Sequence, residues 1–200
     1  MIEKGKFIVL EGIDGAGKTT LQEALIGKLA CRGISVLPTR EPDRTFLLAE
    51  KHVNPISQWA KCYMYAADRA ETMRTLVYPA VNERDWVVAD RCIYSSIAYQ
   101  GFGHGLGPAR VKGAHIHSMV VHPDLVIYLK VPVRVGQDRA TGPIESRDFL
   151  DRVAFGYNKM AEGDPRLWKV IDATQSQDEV TRRAWAYIQG MWPNNYRLFQ

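Results

Sequence analysis

The sequence contains few cysteines, and none stands in a pattern that would build a cross-linked or zinc-bound fold. Cys31, Cys62 and Cys92 are odd in number, lie far apart and form no C-x-x-C pair, which argues against a disulfide framework or a zinc site. No apolar run is long enough to span a bilayer, and the N-terminus lacks the pattern of a signal peptide. We therefore expect a protein of a reducing compartment, the cytoplasm, with no membrane partner.

Internal repeats, low-complexity tracts and linkers rich in proline or serine are also missing. The 200 residues, with 46% hydrophobic and 24% charged side chains, predict a single domain, residues 1–200, with a substantial core. The net charge is only +4 and the arginines are scattered among motifs, so nucleic-acid binding is not implied. His115 and His117 have no accompanying ligand pattern and are interpreted as structural or surface residues.

What the sequence does have is a complete phosphate-binding motif directly after a short apolar strand. Residues 7–20 read FIVLEGIDGAGKTT and match G-x-x-x-x-G-K-[ST], with a helical pattern behind them. The glycines let successive backbone N–H groups point at one anion, while Lys18 reaches the outer phosphates and Thr19 offers a hydroxyl to Mg²⁺. A glycine-rich turn with a surface lysine is the alternative. We predict a site for a nucleoside triphosphate at Gly12, Ile13, Asp14, Gly15, Ala16, Gly17, Lys18, Thr19 and Thr20.

Apolar strand candidates alternate with helical patterns along the whole chain. They cover residues 7–10, 35–37, 86–89, 125–129 and 169–171. This alternation indicates an α/β fold, a doubly wound domain with a five-stranded parallel sheet flanked by helices. Ligands gather at the carboxyl ends of such strands, so the residues after each strand are candidates for the site. A helix over 59–79, ended by its proline, and a last helix over 178–192 complete the pattern.

The turns after the second and third strands carry charged residues suited to binding phosphate and a metal ion. Arg40 and Arg44 flank a turn stiffened by proline, and they either clamp a phosphate or belong to a solvated loop. Asp90 stands where a carboxylate linked to Mg²⁺ is expected, and Arg91 is expected to face the same crevice. A polar face suited to the edge of a base follows at helical spacing: Ser95, Ser96, Tyr99 and Gln100.

Tyr65 and Arg69 lie four residues apart and so share one face of a helix. They either hold a flat base and its polar edge, or are a core tyrosine beside a surface arginine. The glycine-rich residues 101–107 are interpreted as a flexible loop without a helix behind it, and not as a second nucleotide-binding fingerprint.

Four arginines surround a break at residues 141–143: Arg134, Arg139, Arg147 and Arg152. This pattern predicts a helix, a short mobile loop and a second helix, with a lid at about residues 139–152 that closes over a phosphoryl-transfer site. A solvated basic hairpin is the alternative. The turn after the fifth strand, with Ala173 and Gln175, is expected to border the adenine.

Five blocks of the sequence together resemble the thymidylate kinase family of P-loop nucleoside monophosphate kinases. In chain order they are EGIDGAGKTT, TREP, YAADR, DRCIYSSIAYQG and IDATQ, and the resemblance covers nearly the whole length. It implies transfer of the γ-phosphoryl group of ATP to dTMP, with Mg²⁺, by a homodimer.

The family's positions imply roles for individual residues. Asp14 is implied to contact the surroundings of the deoxyribose 3′-hydroxyl and the phosphate, and Arg44 and Arg91 to clamp the acceptor phosphate, with Arg40 nearby. Tyr65 takes the place of a phenylalanine stacked on thymine. Further positions face the two bases: Arg69, Ser96 and Gln100 for thymine, and Arg139 for adenine.

The sequence departs from the family's pattern at three places. Gly15 stands where type I members have an arginine, which resembles the type II pattern. Type II members carry a catalytic arginine in a D-R-[FI]-E run of the lid, but residues 142–145 read GPIE, so Arg147 or Arg152 is expected to replace it and to complete a catalytic set with Lys18, Asp14 and Arg91. The D-R-Y of the family reads DRC here. Two further differences, Tyr65 in place of phenylalanine and a shortened segment after TREP, leave room for a modified pyrimidine or a broader acceptor range.

Two other functions are compatible with a P-loop. A deoxynucleoside kinase also joins a P-loop to a D-R motif, but it needs a carboxylate base for a 5′-hydroxyl and has no use for two arginines on an acceptor phosphate. A nucleotide-switch binding protein is expected to carry N-K-x-D, and residues 158–161, NKMA, lack the aspartate.

Overall fold

A computed structural model describes residues 4–42, 56–143 and 145–192. Its centre is a sheet of five parallel strands in the order β2-β3-β1-β4-β5. The strands are β1 (Phe7–Glu11), β2 (Val36–Arg40), β3 (Trp86–Asp90), β4 (Leu125–Lys130) and β5 (Trp168–Asp172). All five predicted strands are confirmed, and each is longer than predicted at its carboxyl end.

The strands form because their apolar residues are consecutive. Every residue of β1 and β3 is buried, as are five of the six in β4, and strands of this kind suit the interior of a parallel sheet covered on both faces. In register, Leu10 of β1 pairs with Asp90 of β3 on one side and Ile127 of β4 on the other. The end of β1, which leads into the P-loop, therefore lies between the ends of β3 and β4.

Eight α-helices connect and flank the strands in the described part of the chain. They are α1 (Lys18–Ala30), α2 (Gln58–Thr72), α3 (Tyr78–Asn82), α4 (Ile93–Ser96), α5 (Pro108–His115), α6 (Val133–Arg139), α7 (Arg147–Gly163) and α8 (Gln177–Gln189). Serine side chains accept hydrogen bonds from backbone N–H groups at the starts of α2, α7 and α8, as N-cap residues do. Within these residues no helix is both long and apolar enough to cross a membrane.

The prediction that a proline ends the helix over 59–79 is wrong. After α2 the chain continues as a π-helical stretch, Met73–Val77, and then as α3 to Asn82. Pro79 is the second residue of α3, so its missing N–H falls where the hydrogen-bond pattern changes from that of a π-helix to that of an α-helix. The final helix also ends earlier than predicted, at Gln189.

The prediction of a flexible loop over 101–107 with no helix behind it is wrong for residues 101–103 and for the missing helix, while residues 104–107 do connect two helical elements. A π-helical stretch, Ile97–Gly103, follows α4 directly, and α5 begins at Pro108. Gly103 is buried, and a Cβ there would lie 2.7 Å from the ring of Phe149 in α7. A Cβ on Gly156 of α7 would lie 2.5 Å from the ring of Phe102. These glycines make room for close helix packing and do not serve as turn residues.

Candidate functional site

Three neighbouring cavities lie at the carboxyl ends of the strands. The largest, the P-loop cleft, has a volume of about 720 Å³ and lies between the loop after β1 and residues 139–143. The Tyr65 pocket, about 240 Å³, lies on the side of β2 and β3 and includes Tyr65, Arg69, Ser96 and Gln100 in its lining. The Ala173 pocket, about 230 Å³, lies on the side of β5.

The side pockets share lining residues with the P-loop cleft. Asp14 and Arg91 line both the cleft and the Tyr65 pocket. Gly17, Thr20 and Arg139 line both the cleft and the Ala173 pocket. The three cavities therefore form one continuous series with the P-loop in the middle.

The P-loop is shaped by glycines that adopt left-handed backbone angles. Gly15 has φ +76° and Gly17 has φ +92°, conformations that cost other residues about 1–2 kcal/mol. A Cβ on Gly15 would also lie 2.0 Å from the carbonyl oxygen of Gly136 in α6. An arginine at position 15, as in the type I pattern, is therefore excluded by the helix that follows β4.

Lys18 lies folded back against its own loop. Its Nζ donates hydrogen bonds to the carbonyl oxygens of Gly12 at 3.0 Å and Ile13 at 2.9 Å, and only 6% of the residue is exposed. Burial, together with the positive charge of Arg91, lowers the pKa of Lys18 to about 8. An anion in the cleft would relieve both effects, because it supplies the negative charge that the buried ammonium lacks.

Asp90 and Thr19 meet on the floor of the cleft. The hydroxyl of Thr19 donates to Oδ2 of Asp90 at 2.8 Å. The other carboxylate oxygen, Oδ1, is buried and makes no hydrogen bond with the residues that the structure describes. Buried carboxylate oxygens are almost always paired, so this oxygen and the hydroxyl beside it are suited to a hard cation such as Mg²⁺.

Arg91 connects the cleft to the Tyr65 pocket. It has φ +77°, and its guanidinium donates to Asp14 at 2.5 Å and to Ser95 at 3.0 Å, lying 5.1 Å from the ring centre of Tyr99. Burial alone would raise the pKa of Asp14, but Arg91 and Lys18 outweigh it and lower that pKa. Asp14 therefore stays ionised and holds the guanidinium at the boundary between the two cavities.

A buried carboxylate that the sequence analysis did not single out, Glu11, supports this boundary from below. It accepts hydrogen bonds from the backbone N–H groups of Cys92 and Ser95, and from the hydroxyls of Ser95 and Tyr157. Burial raises the pKa of Glu11 although these hydrogen bonds oppose the rise. Its only signal in the sequence is an acidic residue placed directly after four apolar strand residues.

Arg69 lies on the floor of the Tyr65 pocket and is only 2% exposed. It forms an ion pair with Glu41, which follows β2, at 2.6 Å, and donates to the hydroxyl of Ser96 at 3.2 Å. The alternative that Arg69 is a surface residue is therefore wrong. The carboxylate partner was missed because it is 28 positions away along the chain.

The structure brings most of the predicted ATP residues to the cavities. Those lining the P-loop cleft are Asp14, Gly15, Gly17, Lys18, Thr19, Thr20 and Arg139, and those lining the Ala173 pocket include Ala16, Ala173 and Gln175. Arg139 also donates to the carbonyl oxygen of Ala173 at 2.8 Å, which joins the end of α6 to the turn after β5.

The remaining predicted arginines are distributed differently. Arg40 lines the P-loop cleft, and Arg44 lies outside the described residues. Arg147 is exposed beside Asp151 at 3.8 Å, and Arg152 donates to the carbonyl oxygen of Gly103 at 3.0 Å. Neither Arg147 nor Arg152 lines any of the three cavities as the described residues define them.

A family model for thymidylate kinase matches residues 10–184. A thymidylate kinase of Synechococcus sp. strain CC9605 is 37% identical over 196 residues, covering 88% of this chain and 93% of the relative. This chain belongs to the thymidylate kinase family. A second family member, from Vesicomyosocius okutanii, is 33% identical over 207 residues and covers 95% of this chain and 100% of the relative.

A solved thymidylate kinase structure has the same fold. The crystal structure of the enzyme from Ehrlichia chaffeensis matches with a TM-score of 0.78 at 25% identity, over 93% of this chain and 99% of that chain. The resemblance carried by the five sequence blocks is thus confirmed for the family and for the fold. Family membership also establishes a kinase that uses ATP as phosphoryl donor.

Proposed function

We propose that this chain transfers the γ-phosphoryl group of ATP to dTMP across the boundary formed by Asp14 and Arg91. The observation that carries the proposal is the series of cavities, in which the P-loop cleft shares residues with a pocket on either side. Two nucleotides bound in the two side pockets would meet with their phosphates in the cleft. Phosphoryl transfer needs this alignment and charge neutralisation more than it needs covalent chemistry from the protein.

At the donor end, Arg139, Ala173 and Gln175 border the adenine, and the loop N–H groups with Lys18 bind the phosphates. Lys18 leaves the carbonyl oxygens of Gly12 and Ile13 when the phosphates arrive. The positive end of α1, which begins at Lys18, adds to the attraction for the anion.

Thr19 and Asp90 are proposed to hold Mg²⁺ together with the phosphates. The unpartnered Oδ1 of Asp90 supports this. A site of this kind is usual for Mg²⁺, which takes one or two protein ligands and completes its shell with phosphate and water. The ion would neutralise charge on the transferring phosphoryl group.

At the acceptor end, Arg91 and Asp14 are proposed to meet the phosphate and the sugar of dTMP, with Arg40 and Arg44 completing the anion site. Tyr65 stacks on the base, and Arg69, Ser95, Ser96, Tyr99 and Gln100 surround it. The acceptor phosphate is ionised at neutral pH, so a strong general base is unnecessary. The lid at about residues 139–152 supplies the remaining charge through Arg147 or Arg152.

The wider setting is proposed from the family alone. The chain forms one kinase domain over residues 1–200, acts as a homodimer and works in the cytoplasm. Size-exclusion chromatography with light scattering tests the dimer, since a monomer mass at working concentration would contradict it.

The decisive experiment measures ADP release with ATP, Mg²⁺ and a panel of acceptors: dTMP, dUMP, 5-hydroxymethyl-dUMP, dCMP, dGMP and thymidine. We expect dTMP to have the highest kcat/KM. If another pyrimidine monophosphate had the highest kcat/KM, the proposed reaction would stand and the acceptor would change. If thymidine had the highest kcat/KM, the chain would be a deoxynucleoside kinase. ATP binding without ADP release for any of these acceptors would contradict the proposed kinase reaction.

A matched pair of variants tests the boundary. Arg84 and Arg91 both have left-handed backbone angles, at φ +72° and +77°, at the two ends of β3. Arg91→Met is expected to lower kcat/KM for dTMP by about a hundredfold or more, whereas Arg84→Met, an exposed residue, is expected to stay within about twofold. Equal effects would remove Arg91 from the proposed site.

A further inference from the structure

A buried histidine stands behind the Tyr65 pocket without lining it. His115, at the end of α5, is 0% exposed. Its Nδ1 contacts Nη1 of Arg69, and its Nε2 lies 3.4 Å from Sγ of Cys62. The hydroxyl of Ser118 donates to its backbone oxygen at 2.7 Å, which fixes the end of the helix around it.

The contacts of His115 define its protonation. A guanidinium donates hydrogen bonds and accepts none, so Nδ1 of His115 is the acceptor and carries no proton. The proton of the neutral ring is then on Nε2, from which it points to the sulfur of Cys62. Burial and the charge of Arg69 lower the pKa of His115 to about 3, in agreement with a neutral ring.

Arg69 is held through all three of its nitrogen atoms, by Glu41, Ser96 and His115. Nε donates to Oε2 of Glu41 at 2.7 Å, and Nη2 lies 2.6 Å from the same oxygen. Nη2 also donates to Ser96 at 3.2 Å, and Nη1 donates to His115. Glu41 follows β2, Ser96 ends α4 and His115 ends α5, so three separate elements set the plane of the guanidinium. His115 is the partner that does not line the pocket.

We propose that His115 is a positioning residue that sets the base selectivity of this kinase through Arg69. By accepting from Nη1, His115 prevents the guanidinium from rotating. Arg69 then presents N–H donors to the bound base along one fixed edge, which we call its donor edge. A donor edge favours a pyrimidine with a carbonyl oxygen at position 4 over one with an amino group there. The inference rests on the proposed function, since it requires that Arg69 meets the base of the acceptor.

Steady-state kinetics of His115→Leu test the proposal, with His117→Leu as the control. His117 is an exposed residue two positions away. His115→Leu is expected to raise KM for dTMP about tenfold or more, to leave KM for ATP within about twofold, and to lower the ratio of kcat/KM for dTMP over dCMP by a similar factor. Equal losses for ATP and dTMP, or an unchanged ratio, would show a merely structural role and overturn the inference.

Two polar variants keep the test informative if the leucine variant does not fold. The amide oxygen of His115→Asn reaches about as far as Nδ1, whereas the amide of His115→Gln extends to the position of Nε2. We expect asparagine to retain the selectivity ratio within about threefold and glutamine to lose it. The opposite order, or no difference between them, would contradict the proposal.

A double-mutant cycle shows whether His115 acts through Arg69. In an Arg69→Met background, His115→Leu is expected to change KM for dTMP by less than about twofold, because the side chain that it positions is gone. Additive effects would overturn the inference. Absence of wild-type turnover with every monophosphate would overturn the proposed function as well, whereas normal wild-type turnover with unaltered variants overturns the inference alone.

Discussion

Substitution of Gly15 tests how tightly the P-loop is packed against the helix after β4. Two costs arise in Gly15→Ala. The backbone angle of φ +76° disfavours any side chain, and the new Cβ would lie 2.0 Å from the carbonyl oxygen of Gly136. Gly17 provides the matched control, since its φ is +92° and no heavy atom lies within 4 Å of its Cβ position. The pair separates backbone strain from steric conflict within one loop.

The magnitudes follow from these two terms. The left-handed angle costs an alanine about 1–2 kcal/mol at either position. At position 15 the contact is more than 1 Å inside the 3.4 Å at which ordinary contact begins, and it is made with backbone that cannot rotate away. Overpacking of this kind adds about 1–3 kcal/mol. We expect Gly17→Ala to lose about 1–2 kcal/mol of unfolding free energy and Gly15→Ala about 2–5 kcal/mol.

Thermal and urea unfolding without nucleotide measure this difference. For a chain of this size, each kcal/mol corresponds to about 2–4 °C in Tm. Gly27→Ala, in the interior of α1 with no atom within 4 Å of the added Cβ, serves as a second control and is expected to gain about 0.5–1 kcal/mol. Losses for Gly15→Ala and Gly17→Ala within about 0.5 kcal/mol of each other would refute the packing argument.

Three further predictions concern charge and hydrogen bonding. The pKa of Lys18 is about 8, and bound phosphates are expected to raise it, so calorimetric titration with ADP at pH 8.5 in two buffers should show uptake of roughly three quarters of a proton. Lys18→Arg is expected to show no uptake. Proton release by the wild type would contradict the reasoning. Tyr157→Phe removes a hydroxyl that lies 2.9 Å from both Glu11 and Ser95 and is expected to lower the unfolding free energy by about 1–2 kcal/mol. Tyr128→Phe is the control, because that hydroxyl makes no hydrogen bond to any residue the structure describes, and equal losses would argue against the network. Arg147 has only a weak, exposed ion pair at 3.8 Å to keep it from the cleft, so Arg147→Met is expected to lower kcat about a thousandfold and Arg152→Met to lower it much less. If Arg147→Met keeps more than a tenth of the wild-type kcat, Arg147 is not the catalytic arginine.

The sheet and the P-loop could be predicted because both are local patterns. Consecutive apolar residues such as those of β1 and β3 are buried wherever the sheet is covered on both faces. The motif from Gly12 to Thr19 predicts the structure around it, since its glycines and lysine bind phosphate only when the loop lies between a strand and a helix. Family blocks then placed Tyr65, Arg69, Ser96 and Gln100 at one pocket, and the structure brings them together there.

What failed were inferences about glycine, proline and partners. Gly101 and Gly103 signal a loop when only local conformation is considered, but Gly103 is small because Phe149 lies against it. The bond between Tyr157 and Glu11 spans 146 positions, and the contact between Arg69 and His115 spans 46. The spacing of residues within one segment carries no information about pairs so far apart, so the network behind the pocket could not be predicted from the sequence.

The packing of Gly103 against Phe149, and of Gly156 against Phe102, has a consequence for how this protein changes over evolutionary time. Each aromatic ring occupies space that exists only while the glycine opposite it lacks a side chain. A larger residue at either glycine becomes tolerable only after the facing ring has shrunk. We therefore expect these positions to vary as two coupled pairs among descendants of this sequence, and a single change at one of them to be rare.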